Sequence, residues 1–302
     1  MILTLTLNPA VDHTARVDEA LTPDAIHRAD DAQFDPGGKG INVSEYLLEL
    51  GTETVATGPV GGFTGEFLRS NLAELGVPTD FVDVDGRTRL NTTVLADGEE
   101  YKLNHRGPTL SEDAVDDLLD TMTEWAPDVV VVAGSLPPGV SPSDVDHLAA
   151  AGDWETFVDV DGETMQALDA SYAGCKPNRQ ELAAATGRAV DDLEGCLAAA
   201  RDLQSRGFER VVASLGGDGA VMVTPTATYY APALDVDVVD TVSAGDSLFA
   251  GVLSALVAGE SDRVALETGV AVAARAVSVP GTVVPTLGGI ERDVERVSVS
   301  EY

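Results

Sequence analysis

The sequence predicts an α/β protein: three layers, with helices on both faces of a mostly parallel central sheet. Short β-branched runs alternate with amphipathic helical segments along nearly the whole chain, which is the pattern of βαβ units. The run Val129–Ala133 is apolar without alternation, as a strand buried on both faces should be. Gly51, Gly76 and Gly207 stand just past helical segments, where C-terminal caps are expected. No Pro/Ser/Gly-rich linker and no internal repeat interrupts the 302 residues, so a single domain over 1–302 is expected.

In chain order, residues 1–7 alternate apolar residues with threonine and read as the first strand. Helical periodicity marks 41–49, 67–75, 112–125, 193–206 and 247–257, and 210–214 reads as a further buried strand. Two regions break the alternation. Residues 13–35 and 86–106 read as short successive strands with turn signals such as Asp97-Gly98, that is, β-rich insertions.

Composition narrows the function. Apolar residues make up 44% of the chain, ample for a core, yet no apolar run approaches membrane-spanning length. The start lacks the basic residues and length of a secretory leader, so a cytoplasmic protein is expected. Cys175 and Cys196 form no CxxC pair, and His13, His27, His105 and His147 lack metal-ligand spacing. Fifty-one acidic against 18 basic residues give a net charge of −33, which disfavours nucleic acid and anionic membranes as partners. The acids are spread through periodic, apolar-containing segments rather than gathered in a tail. That is a solvated acidic surface suited to a salt-loaded cytoplasm. Against this background only Lys39, Lys102 and Lys176 remain as lysines. A chain so sparing of lysine needs a cation at those points.

The chemistry concentrates in Asp240-Thr241-Val242-Ser243-Ala244-Gly245-Asp246-Ser247, a glycine-containing turn running into an apolar helix. Small residues let backbone N–H groups point outward together, and the helix N-terminus adds partial positive charge, so an anion can be received. An acid at such a place repels the ligand unless it has chemical work, and removing a proton from an attacking hydroxyl is such work for Asp246. A plain N-terminal cap explains this segment equally well.

Four other segments bear on the choice: Asn8-Pro9-Ala10-Val11-Asp12, Asp35-Pro36-Gly37-Gly38-Lys39-Gly40-Ile41-Asn42, Gly134-Ser135-Leu136-Pro137-Pro138-Gly139 and Lys176-Pro177-Asn178-Arg179-Gln180-Glu181. With the Asp246 segment they resemble, in order and from Thr4 to about Pro285, the ribokinase-like (PfkB) sugar kinases. The closest branch is that of 1-phosphofructokinases, tagatose-6-phosphate kinases and minor-type 6-phosphofructokinases. The resemblance implies a ribokinase-like fold with a small β lid at about 13–35 and 86–106, ATP and Mg²⁺ as cofactors, K⁺ as a further candidate, and a homodimer formed through the lid.

It also implies roles, which the residue chemistry supports. Asp246 is the general base, within an anion loop of Ser243, Ala244 and Gly245 whose backbone amides, with that of Asp246, stabilise the transferring phosphoryl group. On the substrate side, Asp12 and Asn42 bind hydroxyls, and Gly37 and Gly38 admit the polyol close to the backbone. Lys39, Arg89 and Lys102 meet the substrate phosphate, Asn91 in Thr88-Arg89-Leu90-Asn91 joins Arg89 as a substrate-binding residue, and Arg28 and Arg106 are further candidates. On the nucleotide side stand Lys176, Asn178, the turn Ser214, Gly216, Gly217 and Gly219, then Thr241 and Gly281. Asn178 and Glu181, at i and i+3 on one helix face, organise Mg²⁺ through water, although the pair is equally a capping box.

Two departures stand out. Ser243 replaces a glycine usual in the family, and it would be strained if the turn needs positive φ. Thr93 stands where many 1-phosphofructokinases carry lysine. The expected reaction is ATP-dependent phosphorylation of fructose 1-phosphate. The alternatives are 6-phosphofructokinase or tagatose-6-phosphate kinase activity, or a sugar-phosphate-binding regulator that has lost the chemistry.

Overall fold

The computed structural model describes residues 1–302. Strand β1 (Ile2–Thr6) is followed by β2 (Ala10–Val17), β3 (Asp31–Gly37) and helix α1 (Lys39–Glu49). Next come β4 (Thr54–Thr57), β5 (Pro59–Val60), α2 (Gly62–Glu74), β6 (Val82–Asp83), β7 (Arg89–Ala96) and β8 (Glu99–Asn104). The middle of the chain holds α3 (Glu112–Trp125), β9 (Val129–Ala133), α4 (Pro142–Ala150), β10 (Glu155–Asp159), α5 (Gly162–Ala167), β11 (Tyr172–Cys175), α6 (Arg179–Thr186) and α7 (Leu193–Gln204). The last part is β12 (Phe208–Ser214), β13 (Ala220–Val223), β14 (Thr228–Ala231), α8 (Ala244–Val257), α9 (Asp262–Ala276), α10 (Glu291–Val294) and β15 (Ser300–Glu301).

The central sheet runs β15-β14-β13-β12-β11-β10-β9-β1-β4. From β12 to β4 it is parallel, and β13, β14 and β15 add an antiparallel edge. β1 lies deep inside, with every residue buried, so its alternation marks two packed faces rather than one wet face. Leu3 and Leu5 join the core on one side, where α3, α4 and α7 pack, and Ile2 joins Val43, Tyr46 and Phe249 on the other. The threonines between them are satisfied by α1: Thr4 Oγ1 hydrogen-bonds Ser44 Oγ at 2.7 Å, and Ile41 N–H donates to Thr6 Oγ1 at 3.0 Å. This fixes the N-terminus of α1 over the carboxyl end of β1, where ligands bind in open α/β sheets.

A second sheet, β3-β2-β7-β8, forms the lid. Its strands begin at Ala10 and extend through Gly37, wider than the expected insertions, because β2 leaves β1 after three residues and pairs at once with β7. Cross-strand partners share a face. One face carries the row Asp35, Asp12, Asn91, Asn104 and the row Gln33, Thr14, Thr93, Lys102. The other carries Phe34, His13, Thr92, Leu103 and Ala32, Ala15, Val94, Tyr101. The lid is therefore polar on one side and largely apolar on the other.

Helix α2 starts at Gly62, five residues before the periodicity shows it, and Thr88 ties its start down: Gly61 N–H donates to Thr88 Oγ1 at 3.0 Å and Thr64 Oγ1 donates to Thr88 O at 2.7 Å. Gly51, Gly76 and Gly207 all take positive φ. Both cysteines are buried and free. No helix is long and apolar enough to cross a membrane.

Candidate functional site

The carboxyl ends of β1, β9, β10 and β11, the start of α1 and the start of α8 converge beneath the lid. Asp246 sits in the first turn of α8, 9% exposed, and accepts from Asn42 Nδ2 at 2.7 Å. Burial, reinforced by the charge of Asp159, pushes its carboxyl up to about 6; Lys176, the Asn42 amide and Lys39 pull the other way. A carboxylate poised there is ionised at neutral pH yet basic enough to take a proton.

Around it lies a charged cluster whose centre the sequence reading missed. Asp159, fully buried at the end of β10, bridges two lysines: Lys39 Nζ donates to Oδ1 at 2.8 Å, and Lys176 Nζ lies 3.0 Å from Oδ2. Lys39 also donates to Glu181 Oε1 at 3.1 Å. Burial alone would lower the Lys39 ammonium, but Asp159 and Glu181 outweigh it and hold the pKa well above its usual value. Lys39 therefore faces Asp159, Glu181 and Asp246 rather than the Arg89 side of the site. Lys176, 3% exposed, is pinned beneath Gly245, whose added Cβ would stand 3.2 Å from Nζ. A strand-terminal aspartate was the available signal for Asp159, since ligands gather at strand carboxyl ends.

The anion loop differs from expectation in two ways. The Ala244 N–H is turned inward and donates to Val242 O at 2.7 Å, which leaves the amides of Gly245 and Asp246 without a backbone acceptor. Ser243 has φ −83° and ψ 11°, so the serine sits without backbone strain; its Oγ is buried and unpartnered. Asp240 ties the loop down, accepting from Val242 N–H and Gly281 N–H, both at 3.0 Å. Thr241 beside it is exposed.

On the lid side, Asp12 belongs to β2 rather than to a loop after β1. Asn91 Nδ2 donates to its Oδ1 at 2.8 Å. Gly37 leaves room beside it, since a Cβ there would displace the Asp12 carboxylate. Gly38 takes φ +137° against the Thr6 methyl. Arg89, half-buried, donates through Nε to Asn8 O at 3.1 Å. Lys102 shares the polar face of Asn91 and stands directly across from Thr93, but its ammonium meets Glu100 at 3.1 Å and lies outward of Arg89. The two are not brought together. Arg16, Arg28, Arg87, Arg89 and Arg106, all on or beside the lid, have no carboxylate partner, whereas most other arginines do.

On the nucleotide side, Asn178 and Glu181 form the reciprocal capping box of α6: Glu181 N–H donates to Asn178 Oδ1 at 2.9 Å, and Asn178 N–H to Glu181 Oε2 at 2.8 Å. Ser214 bridges to Asn178, and Gly216, Gly217 and Gly219 form a tight 3₁₀ turn between antiparallel β12 and β13. No group of three or more His, Cys, Asp or Glu side chains is arranged to hold a metal. Lys39 already occupies the space between Asp159 and Glu181. The donor set therefore fits a divalent ion that arrives on nucleotide phosphates and meets Glu181 through water, not a protein-held ion.

Glu45, one turn beyond Asn42 on α1, also escaped the sequence reading. Burial, then the nearby Asp35, pushes its carboxyl up to about 8. A cleft of about 950 Å³ lies elsewhere: it is lined by Val129, Trp154, Phe157, Arg210 and Leu253 at the amino ends of the strands, and no site residue borders it.

Residues 5–287 match the pfkB family carbohydrate kinase profile. A 1-phosphofructokinase of Haloferax volcanii is 53% identical over 300 residues, 99% of this chain and 98% of that protein. A D-tagatose-1-phosphate kinase of Bacillus licheniformis is 37% identical over 260 residues, 83% and 84% of the two chains. The solved phosphofructokinase-2 of Escherichia coli in complex with potassium superposes with a TM-score of 0.90 at 31% identity, covering 98% of each chain.

Proposed function

The chain belongs to the pfkB family of carbohydrate kinases, and we propose that within it the protein phosphorylates fructose 1-phosphate with ATP to give fructose 1,6-bisphosphate. One observation carries the chemistry: a buried carboxylate, Asp246, raised to about 6, held by Asn42 at the start of α8 among Lys39, Asp159 and Lys176. The acceptor hydroxyl gives its proton to Asp246 while its oxygen bonds to the γ-phosphorus. The bond from that phosphorus to the β–γ bridging oxygen breaks, and ADP leaves. The free amides of Gly245 and Asp246 receive charge on the transferring group. Lys39 adds a cation on the same side, a revised role that follows from its position by Asp159 and Glu181. Mg²⁺, when bound with ATP, neutralises phosphate charge.

The substrate lies against the lid. Asp12, Asn42 and Asn91 suit its hydroxyls, Gly37 and Gly38 let it approach the backbone, and the unpaired arginines suit its phosphate. Lys176, Asn178, the Ser214–Gly219 turn, Thr241 and Gly281 surround the nucleotide. A potassium ion beside the Asp240–Gly281 tie is a further part of this reading. So is a homodimer through the lid's apolar face, where Phe34 is 48% and Leu103 60% exposed.

A 1-phosphate is favoured over a 6-phosphate because the two curated relatives above, from Haloferax volcanii and Bacillus licheniformis, are both named for 1-phosphates or the corresponding kinase. Comparing kcat/KM for fructose 1-phosphate, fructose 6-phosphate, tagatose 1-phosphate and tagatose 6-phosphate in molar KCl tests it. Fructose 1-phosphate should lead. A higher value for fructose 6-phosphate removes the assignment, and no ATP consumption with any of them leaves the regulator as the better reading.

A further inference from the structure

Asn8 sits where the lid leaves the central sheet, and three segments meet on it. It is 3% exposed. Its carbonyl accepts from Arg89 Nε at 3.1 Å. Its Nδ2 donates to Arg106 O at 3.1 Å and to Ser135 Oγ at 3.2 Å, while Gly107 presses so close that a Cβ there would overlap Asn8 Oδ1. Gly107 takes φ +87°, a conformation that favours glycine. The Gly134–Gly139 loop grips the same exit segment: Leu110 N–H donates to Pro138 O at 2.9 Å, and a Cβ on Gly139 would strike Leu110 O.

The β7–β8 ladder ends at the Asn91–Asn104 pair, and beyond it Asn8 links the two segments, its main-chain carbonyl taking Arg89 Nε and its Nδ2 holding the Arg106 carbonyl. Neither arginine has a carboxylate ion pair, in a chain whose acids outnumber its bases by 33. The only carboxylate charge felt by Arg89 is that of Asp12, and burial lowers the guanidinium pKa. Two arginines without a carboxylate partner, both tied to one buried asparagine, offer a place for an anion.

We propose that Asn8 is a positioning residue that holds Arg89 and Arg106 as a paired clamp for the phosphate already on the sugar. The inference rests on the sugar-phosphate kinase reading. Asn8 touches no substrate; it acts by fixing the exit segment, and with it Arg106, against the Gly134–Gly139 loop.

A double-mutant cycle on the full-length protein in molar KCl tests it, with fructose 1-phosphate as the probe. Arg106→Ala should raise KM for the sugar phosphate about 10–10²-fold, the range of a charge-assisted contact. Asn8→Ala should raise it comparably, with KM for ATP and kcat at saturation within about threefold. In the Arg106→Ala background Asn8→Ala should add little, because both changes remove the same contact. Gly107→Ala reaches the node from the other side and should repeat the Asn8→Ala result, which covers the case where one variant folds poorly. The proposal falls if Arg106→Ala leaves KM unchanged, if Asn8→Ala acts equally in both backgrounds, or if kcat and both KM values move together with a lowered Tm. A wild-type protein that phosphorylates no sugar phosphate overturns the parent reading instead.

Discussion

At Asp246 opposing influences meet, and the signs of two of them can be tested separately. Asp246→Asn should lower kcat by about 10²–10⁴-fold, the contribution of a positioned base, with KM for ATP little changed. Because the base works ionised and its carboxyl is raised to about 6, kcat/KM should climb with pH through that value and level off above it. Asp159 raises the Asp246 carboxyl, and Lys176 lowers it. Asp159→Asn should therefore move the rising limb to lower pH, and the two lysines it leaves uncompensated push in the same direction. Lys176→Met should move the limb to higher pH. A shared direction for the two variants would show that the limb belongs to another group. Both variants break a buried pair, at a cost of about 3–5 kcal/mol, so the profiles need folded protein confirmed by Tm. Ser243 adds a smaller lesson: with φ −83° the turn never needed glycine, so the departure from the family pattern leaves the backbone unstrained.

The position of Asp246 is inherited from α8, and α8 is held by α9 at unusually short range. A Cβ on Gly251 would stand 2.8 Å from Gly269 Cα, and one on Gly269 would stand 2.7 Å from Leu248 O. Alanine at Gly251 gains roughly 0.5–1 kcal/mol of helix propensity. The backbone-to-backbone clash opposes that gain and should win, since overpacking typically costs about 1–3 kcal/mol and here no flexible side chain can yield. Gly251→Ala should lower Tm and, by tilting α8, lower kcat more than either KM. An unchanged Tm would mean the helices separate freely. Packing of this kind is only partly legible in a sequence. Strands β1, β9 and β12, helices α1, α2, α3, α7 and α8 and the motif residues at their ends show themselves in the sequence, while β4, β10, β11, α4 and α9 are not among the expected elements. Three features do not show themselves either: the tie of Thr88 to the start of α2, the inward turn of the Ala244 amide, and the pairing of Lys39 with Asp159 and Glu181. Each depends on what a distant segment brings alongside, and local pattern carries no record of that. Asp159 was readable in principle as a strand-terminal carboxylate, but nothing local distinguishes it from a turn aspartate.

Across the whole molecule the net charge of −33 sets how the fold responds to salt. Even with every lysine and arginine paired, 33 carboxylates would lack partners, and the resolved pairs, such as Arg206 with Asp202 and Arg263 with Glu267, are mostly exposed. Salt weakens such pairs, each worth about 0–1 kcal/mol, but it also screens repulsion among the excess acids. The Debye length shrinks from about 10 Å at 0.1 M to about 3 Å at 1 M, so the long-range repulsion is the larger effect to disappear. Tm should therefore rise from dilute buffer to molar KCl. Choline chloride at equal ionic strength separates this from an ion bound beside Asp240. Screening depends on concentration of charge, so Tm should rise in both salts. A potassium site depends on ionic radius and dehydration, so its signature is turnover that KCl restores and choline chloride does not. Equal turnover in the two salts would remove the potassium site while leaving the acidic-surface argument intact, and a Tm indifferent to both salts would do the reverse.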